Sequence, residues 1–199
     1  MDNRLMPLKL NSSGGGSVTL DVPATATATS LIIPSNAGTV VTTGSTGVVT
    51  QTMLAAGVAG NGPAFSAYLG SNQTINNNVN TKLMINIESF DTNNRYDTSL
   101  YRFTPNVAGY YFVAGRVQIS NAQYAIPNIY KNGIVVKSGV QGEPTNAPYG
   151  TTVSGLIYLN GSTDFIELYA YQFNSGGASL TAAAAEHACF FDAFMARAA

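Results

Sequence analysis

The chain has 199 residues, a formal net charge of −1, one cysteine, one histidine and no tryptophan, and only 10% of it is charged. Cys189 and His187 alone cannot build a zinc cage, one cysteine permits no internal disulfide, and near-neutrality supplies no basic field for a phosphate backbone. No apolar run approaches the ~20 residues of a membrane helix, and Met1-Asp2-Asn3-Arg4 leads into no signal-peptide core, so neither nucleic-acid binding nor membrane insertion is expected.

Charge is unevenly spread. Between Lys9 and Lys82 the only charged residue is Asp21. Gly14-Gly15-Gly16 reads as a hinge. It is not a phosphate loop, because no Gly-Lys-Ser/Thr follows it. Short β-forming runs come next, at residues 17–22, 30–33 and 39–42, with Pro23 and Pro34 as stops. A flexible linker is one reading of this stretch. The other is a set of strands that order against partner chains, and the low charge favours it. All 11 Tyr and 9 Phe lie after Gly60. Aromatic residues carry the largest burial per side chain, so the core is expected in residues 61–199, with residues 1–60 as an anchoring region.

Period-two patterns dominate the aromatic half. Residues 64–69 form one predicted strand. In 82–87, Leu83, Ile85 and Ile87 share a face. In 109–119, the longest candidate, Tyr111, Val113, Gly115, Val117 and Ile119 oppose Tyr110, Phe112, Ala114, Arg116 and Gln118. Residues 126–131 and 134–137 flank Asn132-Gly133, a pair that accepts the positive φ of a tight hairpin turn. Residues 153–159 and 164–172, around Asn160-Gly161, read as a second hairpin with a longer turn. A last strand covers 188–195. Residues 182–185 read as loop or strand lead-in, with a one-turn helix as the alternative. Turns every ~8–12 residues suit a sandwich or jelly roll.

Two strands are apolar on both faces. Ile166, Leu168 and Ala170 alternate with Phe165, Tyr169 and Tyr171; Phe191, Ala193 and Met195 alternate with Phe190 and Phe194. Such strands need a second burial partner, since a lone domain would expose a large aromatic patch. Either a loop covers them or another copy does. The second reading makes Tyr169, Tyr171, Phe190 and Phe194 candidate oligomer-interface residues.

Several segments carry a family resemblance. They are Pro63-Ala64-Phe65-Ser66-Ala67, Phe90-Asp91-Thr92-Asn93-Asn94-Arg95-Tyr96-Asp97 and Phe103-Thr104-Pro105-Asn106-Val107-Ala108-Gly109-Tyr110-Tyr111-Phe112. Tyr130-Lys131-Asn132-Gly133, Leu159-Asn160-Gly161 with Asp164-Phe165-Ile166, and Phe191-Asp192-Ala193-Phe194-Met195 continue the series. In this order they resemble the C1q/TNF-like jelly roll, over roughly residues 63–196. The departures are two inserted residues before Asp164, Ala193 in place of the family's glycine, and Asp192. The resemblance implies an all-β jelly-roll sandwich that forms a homotrimer, which turns Tyr169, Tyr171, Phe190 and Phe194 into trimer-interface candidates. Some relatives bind calcium, but no carboxylate cluster here carries that over, so no metal and no cofactor is expected. Gly16-Ser17-Val18-Thr19-Leu20-Asp21-Val22-Pro23-Ala24-Thr25, then Ser30-Leu31-Ile32-Ile33-Pro34 and Gly38-Thr39-Val40-Val41-Thr42-Thr43, resemble a segment of bacteriophage tail-fibre and other virion appendage proteins. Thr52-Met53-Leu54-Ala55-Ala56-Gly57 resembles the connector before C1q-like heads there.

The resemblances imply a virion structural protein, a trimeric fibre or appendage. Residues 1–60 would hold other tail or capsid proteins, and the head would contact a host-surface glycan or protein. A purely architectural head fibre, capsid decoration or connector is the alternative, favoured by the absence of a long shaft. A secreted bacterial C1q-like protein is disfavoured by the missing signal sequence. Catalysis is not expected. His187 and Cys189 would share a face on a strand, but a buried cysteine is a common core filler. Glu167 and Glu186 have no obvious carboxylate partner. Loops at 72–80, 121–124 and 141–149 are rich in Asn and Tyr; ligand contact and turn formation explain them equally well.

Overall fold

The computed structural model describes residues 8–11, 13–15, 17–20, 62–141 and 149–199. The chain divides into two compact units, Met1–Ser45 and Thr46–Ala199. In the first, β1 (Leu8–Asn11) pairs antiparallel with β2 (Ser17–Leu20), Leu8 opposite Leu20. Gly15 lies in the connection with φ +83°, a region glycine enters without a Cβ clash. The strands predicted at 30–33 and 39–42 lie outside the described residues.

The second unit runs through β3 (Ala64–Tyr68), β4 (Gln73–Ile75), β5 (Thr81–Lys82), β6 (Ile87–Asp91), β7 (Tyr96–Asp97), β8 (Arg102–Phe103) and β9 (Ala108–Ile119). It continues through β10 (Tyr124–Lys131), β11 (Ile134–Ser138), β12 (Tyr149–Asn160), β13 (Ile166–Phe173), β14 (Leu180–Ala182) and β15 (Phe190–Ala198). These strands make two antiparallel sheets. One has the order β4-β14-β9-β15-β3-β6, with β12 along the other edge of β9; the second has β11-β10-β13-β8-β7, with β5 on β13. The alternation in each strand sends one set of side chains inward. Tyr111, Val113, Val117 and Ile119 of β9, Ile166, Leu168 and Ala170 of β13, and Phe191, Ala193 and Met195 of β15 are all buried.

Aromatic rings from both sheets meet in the core. Phe65 stacks at 4.6 Å on Tyr96 and at 4.6 Å on Phe103, and Phe191 meets Phe65 edge-on at 5.3 Å. Two buried hydroxyls keep partners, as burial requires. Tyr96 donates to the Ile85 carbonyl at 2.9 Å and Tyr111 to that of Val107 at 2.7 Å. Burial pushes the Tyr111 hydroxyl up to about 12. Gly115 marks a close approach of the sheets, since a Cβ there would stand 2.6 Å from Leu168 Cδ1.

Asn132 and Gly133 take φ of 51° and 80° and join β10 to β11 as predicted, Lys131 opposite Ile134. Two expectations need correction. Residues 153–159 and 164–172 are not a hairpin: β12 pairs with β9 and β13 with β10, so the intervening loop crosses between sheets. Asn160 Oδ1 organises that loop by accepting from the backbone N–H of Ser162, Thr163 and Asp164. Residues 82–87 are not one strand either. Leu83 and Ile85 are buried, but Ile87 is exposed. The chain changes sheets within this stretch: Leu83 N–H donates to Leu168 O at 2.9 Å, and Asn86 N–H to Tyr68 O at 3.2 Å. Residues 183–189 form a turn, closed by Ala188 N–H on Ala185 O at 3.0 Å.

Candidate functional site

The inward set on β9, β12 and β15 fixes what points outward. Tyr110 and Phe112, Leu156 and Tyr158, and Phe194 stand on the far side of the sheet, between 37% and 57% exposed. Register gathers them. Phe194 of β15 lies opposite Phe112 of β9, which lies opposite Leu156 of β12; one step along, Tyr110 lies opposite Tyr158. The Phe112 and Phe194 rings are 5.6 Å apart, and those of Tyr110 and Tyr158 5.5 Å apart. Cross-strand pairs of this type stabilise a sheet, and here they also form a continuous apolar patch facing away from the core.

Asp192 and Arg116 bring charge to this face. Asp192, between Phe190 and Phe194, lies in register with Ser66 on one side and Ala114 on the other. Its Oδ1 is buried without a hydrogen-bond partner. Burial pushes the carboxyl above the ordinary range; a bond from Ser66 opposes this and the Glu186 charge adds to it. Arg116 Nε is also buried and unpartnered. The Arg116 guanidinium lies over Gly150, where any side chain would collide with it.

A second apolar surface lies at the edge of the other sheet. β11 is the outermost strand there, and Ile134, Val135 and Val136 are all exposed. Its register shifts where Ile129 meets Tyr130 on β10. An exposed hydrophobic edge is a template for pairing with another chain.

The four residues predicted for a trimer interface lie on both sheets. Phe194 is exposed on the aromatic face, and Phe190 is half-buried four residues before it on the same strand. Tyr169 and Tyr171 belong to β13. Tyr169 stacks on Tyr130 at 4.0 Å and Tyr171 on Tyr124 at 6.1 Å. Tyr110, Phe112, Leu156 and Tyr158, which share the outer face with Phe194, are not among the four. The signal was present, since 109–119 carries aromatic residues on both of its faces.

The other candidates separate. His187 is exposed in the turn before β15, not on a strand, while Cys189 is buried. The Cys189 thiol accepts from Gln118 N–H at 3.3 Å, and burial pushes it up. Glu167 pairs with Lys82, and Glu186 accepts from Ser89 Oγ at 2.7 Å. Among the described residues no three of His, Cys, Asp and Glu cluster as metal ligands.

No protein-family model matches the chain, and no curated protein does. Solved structures do. Murine APRIL at pH 5.0 matches with a TM-score of 0.53 and 10% identity, over 67% of this chain and 98% of that one. The same protein at pH 8.0 gives 0.53 and 10% over the same shares. The globular domain of zebrafish complement 1qA matches at 17% identity over 69% of this chain and 99% of its own, with a TM-score of 0.46. At these identities the likeness is one of fold. Two antiparallel sheets closing on one aromatic core form a C1q/TNF-like jelly-roll sandwich.

Proposed function

We propose that the chain is a structural protein of a bacteriophage virion, a homotrimeric fibre or appendage whose jelly-roll head contacts the host surface. The observation that carries self-association is the aromatic face of Phe112, Leu156 and Phe194. These side chains are already about half-buried, so withdrawing the rest from water is worth roughly 1 kcal/mol each. The edge strand β11 supplies a second apolar surface elsewhere on the same unit. Two different patches that fit one another make a head-to-tail contact, which closes into a ring when the rotation allows. The resemblance to the C1q/TNF-like family supports three copies in that ring. The segments in residues 16–43 and 52–57 that resemble virion appendage proteins support the virion location and the anchoring role of residues 1–60.

The head acts by binding rather than catalysis. In this reading His187, Cys189, Glu167 and Glu186 serve packing, pairing or solvation. Three copies of a weak site on one particle attach firmly without new chemistry. Labelling intact virions with an antibody against the head, alongside attachment of the purified chain to a panel of bacterial strains, tests both parts. Virion labelling with strain-selective attachment is expected. Labelling without attachment would leave an architectural role, and no labelling would overturn the virion assignment.

A further inference from the structure

A cleft separate from the aromatic face lies where the β3–β4 connection, the sheet-crossing segment before β6 and the turn before β8 meet. It encloses about 330 Å³, at the lower end of the ~300–1,000 Å³ typical of small-molecule sites. Asn72, Asn86, Tyr101, Met84, Ser71 and Thr74 are among the residues that line it. No Lys, Arg, Asp or Glu does.

The two carboxamides are held in one orientation. Asn72 Oδ1 accepts from Ala184 N–H at 2.8 Å, and Asn86 Oδ1 accepts from Gly70 N–H at 2.9 Å. With each oxygen fixed on a backbone donor, the amide flip is decided and each Nδ2 is left with its two N–H donors. Gly70 makes room for this, since a Cβ there would stand 2.9 Å from Asn86 Oδ1. Gln73 locks the wall behind them. Its Nε2 donates to Lys82 O and its Oε1 accepts from Met84 N–H, both at 2.8 Å.

Tyr101 adds the second observation. Its φ is 53°, a left-handed conformation uncommon for a bulky residue and costly to hold. Glycine or asparagine would turn the chain here with less strain. Tyr101 and the exposed Met84 both line the cleft, so the tyrosine brings to it an aromatic ring and a hydroxyl that glycine or asparagine would lack.

We propose that this cleft binds one neutral sugar residue. The carbon-hydrogen face of the ring would lie on Tyr101 and Met84. Its hydroxyl oxygens would accept from Asn72 and Asn86 Nδ2, and its hydroxyl protons would go to Ser71 and Thr74. The uncharged lining disfavours phosphorylated or acidic ligands, whose charge would be desolvated without a partner. The inference rests on the reading of the head as a host-contact surface, and it names the ligand class and the place.

The test is saturation-transfer NMR on the intact chain with glucose, galactose, mannose and N-acetylglucosamine as separate millimolar probes. Transfer to the ring protons of at least one sugar is expected. Asn86→Asp keeps the acceptor for Gly70 N–H but cannot donate, so binding weakens roughly threefold to tenfold, as for loss of one hydrogen bond, with the melting temperature kept. Tyr101→Gly removes the ring and relieves the backbone, so transfer is lost without a fall in melting temperature. No transfer to any probe, or transfer unchanged in both variants, overturns the proposal. Strain attachment by a chain that binds no sugar would overturn the cleft and leave the adhesion reading. Sugar binding with no attachment would do the reverse.

Discussion

Phe112 and Phe194 face one another across the β9–β15 ladder, ring centroids 5.6 Å apart, on the side of the sheet that turns away from the core. Their strand neighbours Tyr111, Val113, Ala193 and Met195 fill the core, so the pair stands outside it, in the contact of the proposed assembly. Phe194→Asp places an unpaired charge in that contact, and a buried unpaired charge is strongly destabilising. The variant is expected to keep its β-sheet circular-dichroism spectrum and to sediment as a single chain.

Tyr171 provides the contrast. It sits on the other sheet, stacked with Tyr124 and hydrogen-bonded to Asn78. Tyr171→Ser should lower the melting temperature modestly, because aromatic pairs are worth about 0.5–1.5 kcal/mol beyond their buried area. The sedimentation coefficient should stay that of the assembly. Dissociation in this variant would bring the Tyr171 side of β13 into the interface, in place of the β11 edge.

Asp192 should cost stability at neutral pH. Its carboxyl is raised in the folded chain, chiefly by burial. Between the unfolded and folded values the folded chain holds more protons, so stability falls as pH rises through that window. Above it the cost is complete. Asp192→Asn is therefore expected to melt higher than the parent at pH 7, with the gain shrinking as the pH drops to about 4. Thermal melts of both chains across pH 3.5–7 measure this.

Asp164 should behave in the opposite way. Burial pushes its carboxyl up, but bonds from Lys131 Nζ at 2.8 Å, Asn132 Nδ2 at 2.8 Å and Asn160 N–H at 3.0 Å outweigh it and hold it below the ordinary range. A lowered carboxyl stabilises the fold above its unfolded value, and the contribution is lost as pH falls through the folded one. Asp164→Asn should cost up to about 1 kcal/mol at pH 7 by removing the charge that Lys131 and two exposed asparagines bind, with the difference vanishing in strong acid. Urea titrations at the two extremes would show it.

Strand alternation was legible because burial on one face writes itself into residue order. The inward faces of β9, β13 and β15 follow from it residue by residue. The Asn132-Gly133 turn was legible too, since few residues accept its φ values. Sheet membership was not. Asn160-Gly161 has the same turn chemistry as a hairpin, but its loop joins strands that pair elsewhere, and that choice is made by β9 and β10, far away in sequence. Ile87 continued an alternating pattern across a point where the chain changes sheets. Tyr169, Tyr171, Phe190 and Phe194 share a two-sided signal, and only the stacking of the sheets separates them into two faces. The cleft was invisible, because its shape depends on Asn72, Asn86 and Tyr101 converging from three loops.

The most direct measurement is the mass of the intact chain by light scattering at micromolar concentration. Assembly through the Phe112, Leu156 and Phe194 face predicts three times the single-chain mass of 20.8 kDa. A particle of 20.8 kDa at that concentration would contradict it.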